Sequence, residues 1–459
     1  MRPEEWISAN QDKLFASIAE LIQIPSVLGA PGSGAPFGAE VGRCLDRALQ
    51  LAENMGLRTG RMGGWAGWCE WGCGEKMVAV LAHLDVVPAG DGWTVPAYAG
   101  TLQDGRLYGR GALDDKGPAV TAMYALAALK EGGVQLPCRV RILFGTNEES
   151  GSACMRYYVE HGGEIPTYGF TPDSSYPVVN GEKGIINLEF CAPLIQTGGV
   201  MIRKIQAGIA PNSVPAGGDA VLEVVDDQTG EMLAQQGYAP RNNVVKLHCE
   251  GRAAHASTPW EGENAAGKLL RLLCRLLPAA ADGPLGFLAE KMGKEWDGTS
   301  LGIACEDVPS GKLTCNLGVL TADMSSVTVK LNLRCPVTVD GDRIMKQVQD
   351  MFQDAGFECV HSAHRRGFYL PKTHPLICTL SEIYTRHTGE QSEARCIGGG
   401  TYAKAMPNVV AFGPNFPGDE AREHQADEYV CCDRLLQNAA IFLDAMQELA
   451  CLAVHEGAV

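Results

Sequence analysis

The 459-residue sequence has no apolar run near the roughly 18 residues that a membrane span requires, so no transmembrane helix is expected. It holds 17 cysteines but no C-x-x-C pair, which argues against zinc-ribbon and thioredoxin-like sites. Cys69 and Cys73 come nearest, without a second pair. Others scatter singly through apolar stretches (Cys138, Cys154, Cys191, Cys335), the pattern of free buried thiols in a reducing compartment. Positive charge is scarce: 38 Lys and Arg against 54 Asp and Glu leave a formal net charge of −16. Such a surface repels phosphate backbones and anionic lipid, so neither nucleic acid nor a membrane is an expected partner. The N-terminal MRPEEWISANQDKLF lacks the apolar core of a signal peptide, and the expected location is cytoplasmic. Repeats and low-complexity segments are also missing. What remains is ordinary globular composition, 46% hydrophobic and 20% charged, with length for two or three domains.

Apolar periodicity predicts a helix over 4–23, a second helix ending at Gly56, and a hairpin over 60–74 that carries Trp65, Trp68 and Trp71. No function is assigned to the three tryptophans. Met77 to His83 is a continuous apolar run, as in a buried parallel strand, followed by a helix over 117–130 and a strand over 139–144. From about 191 to 375 strands alternate, with one strong helix expected to start at Thr258-Pro259-Trp260-Glu261 as a capping box. Helix and strand signals resume after 375. The expected fold is an α/β domain, with a mixed, mostly parallel sheet flanked by helices (1–190 and 376–459), interrupted by an α+β insertion (191–375).

Chemistry-bearing residues gather where strands or loops end. His83-Leu84-Asp85 closes the apolar strand at the sheet edge where open α/β folds bind ligands. Asp114-Asp115 lies between glycines before a helix, Glu148-Glu149 follows the next strand, Asp173 sits in TPDSSYP, and His424 sits in EHQADE. Any one of these clusters reads equally well as a solvated turn. Together they offer two histidines and several carboxylates, donors that suit zinc, manganese or cobalt, and enough carboxylates to bridge two metals about 3.5 Å apart.

The segments HLDVVPAGDGW (83–93), GRGALDDKGP (109–118), GTNEES (145–150), TPDSSYP (171–177), GRAAHASTP (251–259), GGGTYA (398–403) and HQADE (424–428) resemble the zinc-dependent dipeptidase, aminoacylase and carboxypeptidase superfamily. The nearest resemblance is to PepV-type dipeptidases, which are similar to carnosinase and Xaa-His dipeptidase. It implies a catalytic domain interrupted by a lid, and two divalent cations, zinc with manganese or cobalt as alternatives. It also implies a small peptide substrate and a monomer. Asp114 would bridge the metals, with His83 and Asp173 completing one site and Glu149 and His424 the other. Glu148 would be the general base acting on a bridging water, and Asp85 would orient His83. His255 in the inserted domain would stabilise the oxyanion. Asn212, Arg334, Gly400 and Thr401 would hold the peptide and its terminal carboxylate.

Two other motifs are decoys. Gly298-Thr-Ser300-Leu-Gly302 matches a serine-hydrolase elbow but lacks the strand before it and the helix after it. Gly262 to Lys268 nearly spells a phosphate-binding loop, but Leu269 stands where a Ser or Thr is needed. An N-acyl-amino-acid amidohydrolase or a carboxypeptidase is the alternative activity. A non-catalytic binding protein on the same fold is the alternative from another class.

Overall fold

The computed structural model describes residues 1–194, 196 and 198–455. Contacts within the chain divide it into two compact units. The first comprises Met1–Asn180, Leu370–Arg395 and Gly400–Val459; the second comprises Gly181–Tyr369 and Cys396–Gly399. The breaks expected after residues 190 and 375 therefore move. Residue 190 lies within the continuous strand Gly184–Pro193, and Pro375 already opens the helix Pro375–Thr388 of the first unit.

The first unit begins with α1 (Pro3–Ala9) and α2 (Gln11–Ile22) rather than one helix over 4–23. Asn10 divides them: its side-chain Nδ2 donates to the Trp6 carbonyl at 2.9 Å, a local bond that competes with helical continuation. Next come α3 (Ala39–Asn54), then β1 (Arg58–Met62) and β2 (Ala66–Trp71), which form the expected hairpin. Gly56, just past α3, takes φ +70°, as a C-terminal glycine should. The remaining elements that place the site are β3 (Met77–His83), α4 (Lys116–Glu131), β4 (Arg139–Gly145), α5 (Ala153–Glu160) and β5 (Tyr168–Thr171). After the second unit come α6 (Pro375–Thr388), β6 (Val409–Ala411) and α7 (Cys432–His455).

These strands lie in the order β1-β2-β4-β3-β5-β6. The run β4-β3-β5-β6 is parallel, and β1 and β2 are antiparallel additions. Every residue of β3 is buried, which accounts for its unbroken apolar run. α4 is buried from Lys116 to Leu129 and packs against α7, α2, β3 and β4. Its many alanines permit that close approach. Even Lys116 is accommodated, its ammonium donating to the carbonyls of Leu21 (2.9 Å) and Ile24 (2.7 Å) at the end of α2. Because His83 pairs in register with Gly145, the chain leaves β3 and β4 side by side at the carboxyl edge of the sheet.

The second unit is an antiparallel sheet with helices on one face. Its strands run in the order Val244–Glu250, Gly217–Val224, Val200–Ala207, Thr314–Ala322, Ser326–Cys335, Gly184–Pro193, Glu358–Arg365. Alternate residues of these strands pack against helices Ala265–Leu276, Pro284–Lys291 and Gly341–Asp354 in one apolar core. The helix expected from Thr258 starts later. Pro259–Glu261 is a short 3-10 turn ended by extended Gly262, and Asn264 caps the true helix by accepting from the Gly267 amide at 3.0 Å. The decoy Ser300 lies in the 3-10 turn Thr299–Leu301 between two left-handed glycines, not at a strand-to-helix elbow.

Enlarging a fully buried alanine of α4 leaves its side chain no space. Ala122→Leu should destabilise the first unit by about 1–3 kcal/mol, read as a lower urea midpoint of the full chain.

Candidate metal centre

Three parallel strands deliver the site. β3 ends on His83, β4 runs into Asn147-Glu148-Glu149, and β5 is followed by Asp173. Asp114 and Asp115 arrive from the loop before α4, and His424 from the loop before α7. His83 is 1% exposed, and its backbone N–H donates to Asp115 Oδ2 at 3.0 Å. Its Nδ1 donates to the Asp85 carbonyl oxygen at 2.9 Å, which turns Nε2 toward Asp114 Oδ1, 2.8 Å away. On the other side of the same carboxylate, His424 Nε2 lies 3.0 Å from Asp114 Oδ2 and 3.1 Å from Glu149 Oε1. Asp173 Oδ2 is 3.9 Å from His83 Nε2.

The donor atoms form two overlapping sets, His83 with Asp114 and Glu149, and His83 with Glu148 and Asp173; within each, the atoms lie within 4.8 Å of one another. Asp85 meets His83 through its backbone carbonyl, with its carboxylate Oδ1 3.6 Å from His83 Nδ1, and the same carboxylate accepts from the backbone N–H groups of Glu148 (3.0 Å) and Glu149 (3.1 Å). That carboxylate therefore shapes the Glu148-Glu149 turn.

Charge dominates the pocket. Burial lowers the His83 pKa, but its bonds to Asp114 and Asp85 outweigh this and raise it well above the ordinary value. Bonds to Asp114 and Glu149 raise His424 to about 10. Asp114 resists its burial because His424 and His83 hold it well below the usual carboxylate range. Burial, with the charge of Asp114 added, pushes Asp173 and Glu149 up, and burial pushes Asp115 well up. Divalent cations would offset the clustered carboxylates, and two imidazoles with several carboxylates form a donor set that fits zinc, manganese or cobalt. The residues present fit two such ions, since each oxygen of Asp114 already faces its own imidazole.

Tyr402 lies fully buried, with its ring edge-on to His83 at 6.2 Å between centroids and its hydroxyl 3.0 Å from Cys154 Sγ. Gly145 permits this, because a Cβ there would sit 1.9 Å from the Tyr402 hydroxyl. Thr401 caps the following 3-10 turn, its hydroxyl accepting from the Ala403 amide at 3.1 Å, and Gly400 precedes it. Beside Asp114 and Asp173 opens a cavity of about 470 Å³, lined also by Ser174, Tyr176, Arg395, Asn415 and Phe416.

Within the second unit, Asn212 and His255 are neighbours: the Ala256 amide donates to the Asn212 carbonyl at 2.9 Å. His255 Nδ1 lies 2.6 Å from Ser257 Oγ. Arg334 is 4% exposed, its Nε donating to Asn332 Oδ1 (2.8 Å) and Nη1 to the Gly398 carbonyl (3.0 Å). Burial, reinforced by the nearby Arg365 charge, lowers it to about 10.

Sequence reasoning gave no role to Asp115, Tyr402, Arg110 or Glu428. Asp115 and Glu428 stand inside recognisable motifs, but their partners lie far along the chain. Arg110 and Tyr402 also stand inside quoted motifs, GRGALDDKGP and GGGTYA, and Gly145 leaves room for the Tyr402 ring.

Residues 79–448 match the peptidase family M20/M25/M40. The chain is 36% identical to YtjP of Bacillus subtilis (strain 168), covering 98% of this chain and 100% of that protein. It is 32% identical to the Beta-Ala-Xaa dipeptidase of Lactobacillus delbrueckii subsp. lactis, covering 97% and 98%. The structure resembles human carnosine dipeptidase 1 (TM-score 0.57, 16% identity, 98% and 99% covered). It also resembles aminoacylhistidine dipeptidase from Vibrio alginolyticus (TM-score 0.54, 16% identity, 95% and 96% covered). The chain belongs to peptidase family M20/M25/M40.

Replacing Asp85 by Asn removes one of the two acceptors that shape the Glu148-Glu149 turn. Cation affinity should fall about 10–100-fold while the far-ultraviolet circular dichroism is retained, measured by competition with a chromogenic chelator.

Proposed function

We propose that this family member is a two-metal dipeptidase, cleaving the single peptide bond of small substrates that carry a free C-terminus. The observation that carries the reading is Asp114, whose two carboxylate oxygens face two imidazoles, 2.8 Å from His83 and 3.0 Å from His424. In this reading Asp114 would be shared by two cations, His83 and Asp173 would hold one, and Glu149 and His424 would hold the other. The cations are zinc, with manganese and cobalt as alternatives that the same donors accept. When bound, they would supply an activated water and offset negative charge on the peptide oxygen.

The chain's own residues do the rest. Glu148, whose backbone is held by Asp85 beside the ligand Glu149, takes the proton of the attacking water and passes it to the leaving amine. His255 donates to the oxyanion as charge develops there. Arg334 presents its guanidinium to the terminal carboxylate, a pairing that a planar fork makes bidentate. Asn212 and the amides of Gly400 and Thr401 hold the peptide. A cavity of about 470 Å³ suits a substrate of two residues better than a polypeptide. The Beta-Ala-Xaa dipeptidase among the relatives supports the same substrate class. The reading places the protein in the cytoplasm as a monomer. No helix among the described residues is long and apolar enough to cross a membrane, and a net charge of −16 disfavours nucleic acid as a partner.

The test is elemental analysis of bound metal together with a panel of dipeptides whose termini are free or blocked. Two cations per chain, with chelator-sensitive hydrolysis of free dipeptides, are expected. Hydrolysis of N-acylated amino acids alone would make it an amidohydrolase, and a chain that takes up no metal would leave a binding protein.

Glu148→Ala should keep its cations and fold yet lose about 10²–10⁴-fold in kcat, measured with saturating dipeptide. His255→Ala should keep both cations and lower kcat; loss of metal from that variant would remove His255 from its role.

A further inference from the structure

The backbone of the loop that carries Asp114 is held by a second carboxylate, Glu428. Glu428 is 0% exposed, and one of its oxygens, Oε1, accepts three backbone N–H groups of the loop that carries Asp114. These are Gly111 at 3.0 Å, Leu113 at 2.9 Å and Asp114 itself at 3.2 Å. The other oxygen, Oε2, accepts from Arg110 Nη1 at 2.6 Å. Arg110 is as deeply buried, at 1% exposed; its Nη2 reaches the Ala89 carbonyl at 3.1 Å, and its guanidinium lies 5.3 Å from the centre of the Trp93 ring. The Gly109 amide adds a bond to the Glu428 backbone carbonyl at 2.9 Å.

A carboxylate taken wholly out of water costs several kcal/mol unless hydrogen bonds and charge replace its hydration. Here the replacements come from the loop bearing the bridging aspartate. The loop can curl around one oxygen because Gly109 and Gly111 take φ +153° and +90°. A Cβ at Gly111 would meet Val86 Cγ1 at 2.9 Å. The same short segment also carries His424, and between them Asp427 accepts from the Thr94 amide (2.7 Å) and hydroxyl (2.9 Å). One stretch of chain thus supplies an imidazole to the Asp114 carboxylate and an acceptor to the Asp114 backbone.

We propose that Glu428 is a positioning residue of the metal centre, fixing Asp114 so that its two oxygens meet two cations at once. The inference rests on the reading that Asp114 bridges cations. It gives Arg110 a defined part as the counter-charge that keeps Glu428 in place. Both Glu428 oxygens are taken up by Arg110 and the amides of the Asp114 loop, so its contribution is the preorganisation of a ligand.

The test uses the full-length protein as two variants, Glu428→Gln and the apolar pair Arg110→Met with Glu428→Leu. The thermal unfolding midpoint is measured in chelator and with saturating zinc, and zinc affinity by competition with a chromogenic chelator. The glutamine amide cannot accept from the three amides and from Arg110 together. Zinc affinity should therefore fall at least tenfold, and the gain in midpoint on adding zinc should shrink beyond any loss seen in chelator. The apolar pair removes the buried charges together, so it keeps the fold accessible if the single variant fails, and it should show the same loss of affinity. Midpoints that drop equally with and without zinc, at unchanged affinity, would make Glu428 a stability element only and overturn the proposal. Two cations bound by the parent chain without dipeptide hydrolysis would overturn the proposed function and leave this inference standing. A parent chain that binds no cation would overturn both.

Discussion

Like charges drawn together away from water set the problem that the first unit solves. Asp114, Asp115, Glu148, Glu149 and Asp173 all crowd the carboxyl edge of one sheet, where burial alone pushes several of them toward the protonated form. Asp114 is held well below the usual carboxylate range, because His424 and His83 meet its two oxygens. That single carboxylate, shared by two imidazoles, is the arrangement on which the rest of the site depends. His83 is the member that the two donor sets share, and Asp114 links it to His424.

The surrounding structure divides its hydrogen-bond donors accordingly. Backbone amides go to carboxylates that do not face the centre: those of Glu148 and Glu149 to Asp85, and those of Gly111, Leu113 and Asp114 to Glu428. These bonds cost little entropy, since the loops that donate them are already tied to buried strands. Amides offset a carboxylate's charge whether or not a cation is present, yet burial still pushes Glu428 up to about 7. The second unit carries a buried guanidinium at Arg334, tied to Asn332 and the Gly398 carbonyl, and a histidine adjoining Asn212 along the backbone.

Much of this was legible beforehand. The apolar run of β3, the parallel pairing it implies, the hairpin at 60–74 and the α+β insertion follow from periodicity, because a strand buried on both faces must be apolar throughout. Two helix readings failed for local reasons. Asn10 turned its side chain back onto the helix, and extended Gly262 left the capping box at Thr258 on a single 3-10 turn. In both places a short polar or glycine residue outweighed the apolar period that continued past it.

Read alone, the chain specifies which elements form, which residues carry chemistry, and that these cluster at strand ends. All of that lives in spacing and residue type over short stretches. Tertiary structure decided who faces whom: that Asp85 serves the Glu148-Glu149 turn with its carboxylate and His83 with its carbonyl, that Tyr402 fills the space at Gly145, and that Glu428 grips the loop of Asp114. Those partners are separated by up to several hundred residues, and a hydrogen bond across such a distance leaves no period in the sequence. Only the parallel register of the strands, which brings His83 beside Gly145, converts separate motifs into one centre.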